Sequence, residues 1–104
     1  MQFVLLAEHT AEVCPTSNTK TRDLLLQTAQ DIPGIAQRNG VNILAGPLVN
    51  REHIVVVVVE ADRSEAVDRF LVEARFPQWN SVRILPSQSI EEGMKDVQES
   101  TPLF

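Results

Sequence analysis

The 104-residue chain carries two histidines, His9 and His53, and a single cysteine, Cys14. Two imidazoles and a thiolate make a ligand set for Zn²⁺, copper, nickel or a related soft-to-borderline ion. Four residues separate His9 from Cys14, while His53 is remote in sequence, and this spacing matches no named metal motif. One ion bonded at about 2.0–2.3 Å needs the three ligand atoms within about 4 Å of one another. Glu8, Glu12 and Glu52 stand nearby in sequence and could add an oxygen ligand. His9 and His53 are also candidate general bases, and Trp79 is a candidate surface for stacking a ligand. Each residue has a purely structural reading as well. His53 could simply begin a strand, His9 could bond its own loop, Cys14 could serve as a small buried hydrophobe, and Trp79 could be rim packing. No Ser-His-Asp arrangement, phosphate loop or nucleotide fingerprint is visible.

Whether the three residues meet depends on the elements that carry them. Ile54-Val55-Val56-Val57-Val58-Val59 is an unbroken apolar run, five of its six residues valine, and reads as a strand. Phe3-Val4-Leu5-Leu6-Ala7 is a second such run. Neither alternates with polar residues, so both strands are expected to be dry on both faces. Val41-Asn42-Ile43-Leu44, disturbed by Ala45-Gly46-Pro47, suits an edge strand, and Ser81 to Leu85 a fourth strand. A helix is expected from Thr19 toward Arg38, capped by Ser17 or Asn18. Its core face is Leu25, Thr28, Ala29, Ile32, Ile35 and Ala36, with Pro33-Gly34 imposing a kink or dividing it in two. A second amphipathic helix presents Val67, Phe70, Leu71 and Ala74, with Asp62 as its expected cap. Ser89-Ile90-Glu91-Glu92 opens a short helix expected to turn Ile90, Met94 and Val97 inward.

The order is β-α-β-β-α-β plus a terminal helix, the ferredoxin-like split unit. The fold class is therefore α+β, with a four-stranded antiparallel sheet in the order 4-1-3-2. The two unbroken apolar runs are the central strands. One domain is expected over residues 1–104, with the split unit in 1–86 and a C-terminal helix and tail in 87–104. In this topology the end of the first strand lies beside the start of the third. His9, Cys14, His53 and Trp79 then converge on one rim. Because helices cover only one face of the sheet, the other needs a partner, and a homodimer closed as a dimeric α+β barrel is expected to bury above about 2,000 Å².

Ile43-Leu44-Ala45-Gly46-Pro47, then Val57-Val58-Val59-Glu60-Ala61-Asp62 with Ser64-Glu65-Ala66, Phe70 and Pro77, resemble the YCII-related branch of the dimeric α+β barrel superfamily. The resemblance covers roughly residues 40 to 86 and implies the same fold and a dimer. That family carries a His-Asp pair near the first helix and second strand. Thr19 to Leu48 contains no histidine, so the resemblance carries no activity over.

The bulk composition sets further bounds. Hydrophobic residues are 43% and charged residues 22%, ordinary for a globular domain. A net charge of −5 argues against a nucleic-acid or anionic-membrane partner. A single cysteine and the lack of a basic leader or long apolar span lead to a cytoplasmic expectation. Three functions remain open: a metal-binding protein using His9, Cys14 and His53, an enzyme with a small-molecule ligand in the helix–sheet cleft, and an interaction module without chemistry. For Cys14, a helix start and neighbouring imidazoles favour the thiolate, whereas Glu8, Glu12 and Glu52 oppose it. The expectation is a slow thiol that ligates only when a metal is present.

Overall fold

The computed structural model describes residues 1–103. Strands β1 (Gln2–Glu8), β2 (Asn42–Leu48), β3 (Ile54–Glu60) and β4 (Ser81–Ser87) form one sheet in the order β2-β3-β1-β4. All pairings are antiparallel. Helices α1 (Thr19–Ala29), α2 (Ile32–Arg38) and α3 (Ser64–Glu73) intervene, and α4 (Ile90–Glu99) follows β4. This is the expected ferredoxin-like α+β order. Phe104, the last residue of the expected tail, lies outside the described residues.

Burial follows the pleat. Phe3, Leu5 and Ala7 of β1 and Val55, Val57 and Val59 of β3 are buried with Ile35, Ala36, Ala66, Val67, Phe70 and Leu71 from the helices. Completely burying a side chain such as Leu5 or Val67 stabilises the fold by about 1.5–3 kcal/mol. On the other face Val4, Leu6, Ile54, Val56 and Val58 are only half-buried. The expectation of two dry faces is thus met on one face within a single chain.

The expected long first helix is two helices. The break falls at Gln30-Asp31, and Pro33 enters the first turn of α2, where its missing N–H is not needed. Asn18 caps α1 by accepting from the Thr21 amide. Ile35 and Ala36 are buried and Leu25, Thr28 and Ile32 half-buried, but Ala29 faces solvent. Asp62 does not cap α3: Arg63 occupies the cap position and makes no side-chain bond there. Helix α3 ends where Arg75 takes a left-handed backbone with φ 64°. At α4, Ser89 accepts from the Glu92 amide as expected, but its stripe does not turn inward. Ile90, Met94 and Val97 are 73%, 52% and 72% exposed. The helix starts beyond the end of β4 and buries no residue, so it has no core of its own chain to face.

Glu73 ties α3 to α2. Its carboxylate accepts from Asn39 Nδ2 at 3.2 Å and from the Arg38 guanidinium at 3.0 Å. Both bonds hold the carboxyl below its usual range, the Asn39 bond more than the Arg38 one. The folded value is depressed, so this tie stabilises above the unfolded value and is lost as pH falls through the folded one.

Gly46 is the glycine the sheet requires. Its φ is +85°, and a β-carbon there would lie 2.5 Å from the Val56 carbonyl oxygen. Gly40 has φ +68° with open space around it. Gly40→Ala should therefore cost about 1 kcal/mol for the left-handed backbone alone, and Gly46→Ala more than about 2 kcal/mol, because backbone must also move. Urea unfolding of the two variants reads the difference. Equal losses would mean that the β2–β3 contact yields freely.

Candidate metal centre

The site is built by the sheet register. Glu8 of β1 pairs with Ile54 of β3 and with Ser81 of β4. One residue further along, the same register sets His53, His9 and Asn80 in a single row across the ends of β3, β1 and β4. The row belongs to the helix-covered face, since His9 continues the alternation Phe3, Leu5, Ala7. The His9 amide donates to the His53 carbonyl at 3.1 Å, which ties the two histidines together past the strand ends. Their rings meet edge to face, with centroids 5.3 Å apart.

His9 is oriented from its other side. Asn80 is buried, and its Nδ2 donates to the Phe76 carbonyl at 3.1 Å. That bond turns Asn80 Oδ1 toward His9 Nδ1, 3.0 Å away. An amide oxygen only accepts, so Nδ1 carries the proton and Nε2 keeps its lone pair in the neutral ring. A 3-10 turn at Phe76–Gln78 sets Asn80 in place, its own amide also bonding the Phe76 carbonyl at 2.9 Å. Trp79 lies with its ring centroid 5.0 Å from that of His9 and 6.0 Å from that of Phe76. It therefore packs as a wall behind His9.

His53 is held by its turn. Its φ is 60°, a left-handed conformation that costs a non-glycine residue about 1–2 kcal/mol. Asn50 fixes this turn: its Oδ1 accepts from the Glu52 and Ile54 amides, and its Nδ2 donates to the Ile54 carbonyl at 2.7 Å.

Cys14 arrives on a 3-10 turn at Ala11–Val13 and is 7% exposed. The amides of Ser17 and Asn18 both donate to its carbonyl at 2.9 Å, closing the turn that leads into α1. Cys14 Sγ lies 3.1 Å from the Thr16 hydroxyl. A sulfur without its proton could only accept, which would make that hydroxyl the donor.

His9, Cys14 and His53 thus come together, each offering a ligand atom within 4.8 Å of the other two. The spread is wider than the 4 Å expected from sequence. A tetrahedral ion sets such atoms about 3.3–3.6 Å apart, so binding would draw them in by about 1 Å, within reach of small side-chain rotations. The oxygen ligands proposed from sequence are not part of the cluster. Glu8, Glu12 and Glu52 are exposed, and Glu8 points to the opposite face from His9 by strand alternation. Among the described residues no fourth histidine, cysteine or carboxylate joins these three.

The hollow between the helices and the central strands is about 10 Å³, lined by side chains such as Leu5, Val55, Val57, Phe70 and Phe76, enough for about one water. A wider, open hollow of about 430 Å³ runs along α2 and β2, lined by residues such as Ala36, Val41 and Ile43 and by neither histidine.

Asn80 and Thr16 went unassigned in sequence. The signal for Asn80 was the register itself, because a β1–β4 pairing that sets Glu8 against Ser81 sets His9 against Asn80. Replacing Asn80 by Ala leaves the half-buried Nδ1–H of His9 without its acceptor, while the Phe76 carbonyl keeps the backbone amides of residues 79 and 80, and should cost about 1 kcal/mol. Nitrogen NMR of the parent should show His9 as the Nδ1-protonated tautomer. Finding Nε2 protonated would remove Asn80 as the orienting group.

No helix among the described residues is long and apolar enough to cross a membrane. No family model, curated protein or solved structure matches the chain, and what the site can do follows from its own residues and their geometry.

Proposed function

We propose that this chain is a small transition-metal-binding protein that holds one ion through His9 Nε2, Cys14 Sγ and a ring nitrogen of His53. The observation that carries the reading is the approach of all three ligand atoms to within 4.8 Å, from a strand end, a loop and a hairpin turn. Two imidazoles and a thiolate suit Zn²⁺ and copper, with nickel next. Three protein ligands leave a fourth position for water or an exchangeable group, the pattern of sites at which an ion reacts or is passed on. The outer partners support the same reading. Asn80 selects the His9 tautomer that presents Nε2, and the Thr16 hydroxyl can stabilise the bound sulfur.

Untagged protein should bind one equivalent of Zn²⁺, Cu⁺ or Ni²⁺, read by elemental analysis and calorimetry, and should gain thermal stability on binding. Alkylation of Cys14 should be slow in chelator-treated protein, because the side chain is buried, and slower or blocked with metal bound. Alkylation at equal rates in both states would leave three unconnected residues on one rim.

His53→Gly separates the site from the fold. Losing the side chain forfeits its contact with His9 but relieves the left-handed strain, so metal-free stability should stay within about 1 kcal/mol of the parent. Metal affinity should nevertheless fall by more than about 100-fold, beyond the 10–100-fold lost with an outer partner. Unchanged affinity would exclude His53 as a ligand.

A further inference from the structure

We infer that the ion this centre is built for is monovalent copper, Cu⁺, held by His9, Cys14 and His53 alone. The inference rests on the reading of these three residues as one metal centre and adds the identity of the ion. Charge balance selects it. Of the three ligands only Cys14 contributes a charge, one negative charge as its thiolate, while the two imidazoles bind as neutral rings. A thiolate and Cu⁺ cancel. A divalent ion in the same place leaves one positive charge over, beside a residue that is 7% exposed, where an unpaired charge is costly.

The surroundings supply nothing buried to cancel that excess. The groups bonded to the ligand side chains are neutral: the amide oxygen of Asn80 at His9 Nδ1 and the hydroxyl of Thr16 at Cys14 Sγ. A carboxylate often stands behind a zinc-bound histidine in the place that Asn80 takes here. Asn80 is itself buried, so a carboxylate there would act on the ion with little screening, and the sequence puts an uncharged amide in its stead. Glu8, Glu12 and Glu52 are exposed, as is Arg51, and water and salt screen their charges.

Ligand number points the same way. Among the described residues no fourth histidine, cysteine or carboxylate joins the three. The thioethers are elsewhere: Met1 precedes β1 at the end opposite His9, and Met94 belongs to α4. Structural Zn²⁺ is almost always four-coordinate. In this centre a divalent ion would have to complete its shell, and balance its charge, with hydroxide or another anion from solution. Cu⁺ is soft and favours thiolate, and its filled d shell is satisfied by three ligands in a plane. Three ligand atoms, each within 4.8 Å of the other two, form a triangle that can close on an ion at its middle without recruiting a fourth group.

Chelator-treated, untagged protein should take up one equivalent of Cu⁺ under anaerobic conditions, measured against a cuprous chelator as competitor. X-ray absorption of the copper-loaded protein should show three ligands, two nitrogens and one sulfur. Asn80→Asp adds the buried negative charge that the parent lacks. The ratio of Zn²⁺ to Cu⁺ affinity should then rise at least about tenfold, because the added charge acts on two positive charges in one case and on one in the other. An unchanged ratio would mean that charge balance does not select the ion and overturns the inference. If Asn80→Asp fails to fold, the parent's coordination number and its two affinities decide. A fourth ligand from solution on the copper, or Zn²⁺ bound at least as tightly as Cu⁺, overturns the inference and leaves the metal centre standing. Binding of neither ion removes the centre itself and the inference with it.

Discussion

The register of β1 against its two neighbours is the constraint on which the rest of the molecule depends. β1 is hydrogen-bonded along both edges, to β3 and to β4, so its position cannot shift without breaking two ladders. A slip of one residue would turn Phe3, Leu5 and Ala7 out of the core and Val4 and Leu6 into it. The middle of β1 is apolar in both sets, so only its ends, Gln2 and Glu8, oppose that slip by polarity. Size and neighbours oppose it further: Phe3 is completely buried against the helices, where a β-branched valine would leave a void. The row beyond the strand ends inherits this precision. His9 faces the helix layer because Phe3 does, and His53 and Asn80 flank it because the two ladders continue one pair further.

This arrangement explains how a loop, a turn and a strand end can form a common site without a dedicated cavity. The backbone bond from His9 to the His53 carbonyl and the side-chain bond to Asn80 fix one ring from both sides. The costs are local. His53 accepts a left-handed backbone, and Asn50 spends all its polar atoms on holding the turn. Cys14 is buried by a turn that has its own hydrogen bonds, so the thiol is placed by polar backbone geometry, with the apolar core contributing little. The three candidate ligands therefore stand outside the main core, and substitutions there test chemistry more than folding.

The sheet order and the meeting of His9, Cys14 and His53 were legible in the sequence. The two unbroken runs could only be central strands, and antiparallel connectivity then brings the end of one beside the start of the other. What was not legible depends on side-chain direction and local hydrogen bonding. Periodicity identified the α4 stripe but not whether a core lay opposite it, because an amphipathic pattern is the same on a projecting arm as on a packed helix. Spacing suggested Asp62 as a cap, while the backbone placed Arg63 there. Nearness in sequence suggested Glu8 as a ligand, whereas strand alternation sends it to the opposite face. The left-handed backbone at His53 left no mark, since the conformation is uncommon for any non-glycine residue even though histidine takes it more readily than most. Asn80 could have been found from register, but only after the β4 pairing was known.

The two surfaces that the fold leaves unsatisfied lie at different places on the same sheet. The histidine row sits at the end where β1 finishes and β3 and β4 begin. Helix α4 leaves from the far end of β4, seven residues on, or about 24 Å away at strand rise. The row faces the helix layer, and the half-buried Val4, Leu6, Val56 and Val58 face away from it. An ion at the row would therefore tighten loops around β1 without touching that open face. The one element common to both is the β1–β3 ladder. Anything that rigidifies this ladder from the open face also holds the backbone bond between His9 and His53, so the open face and the ligand geometry share a support while remaining separate in space.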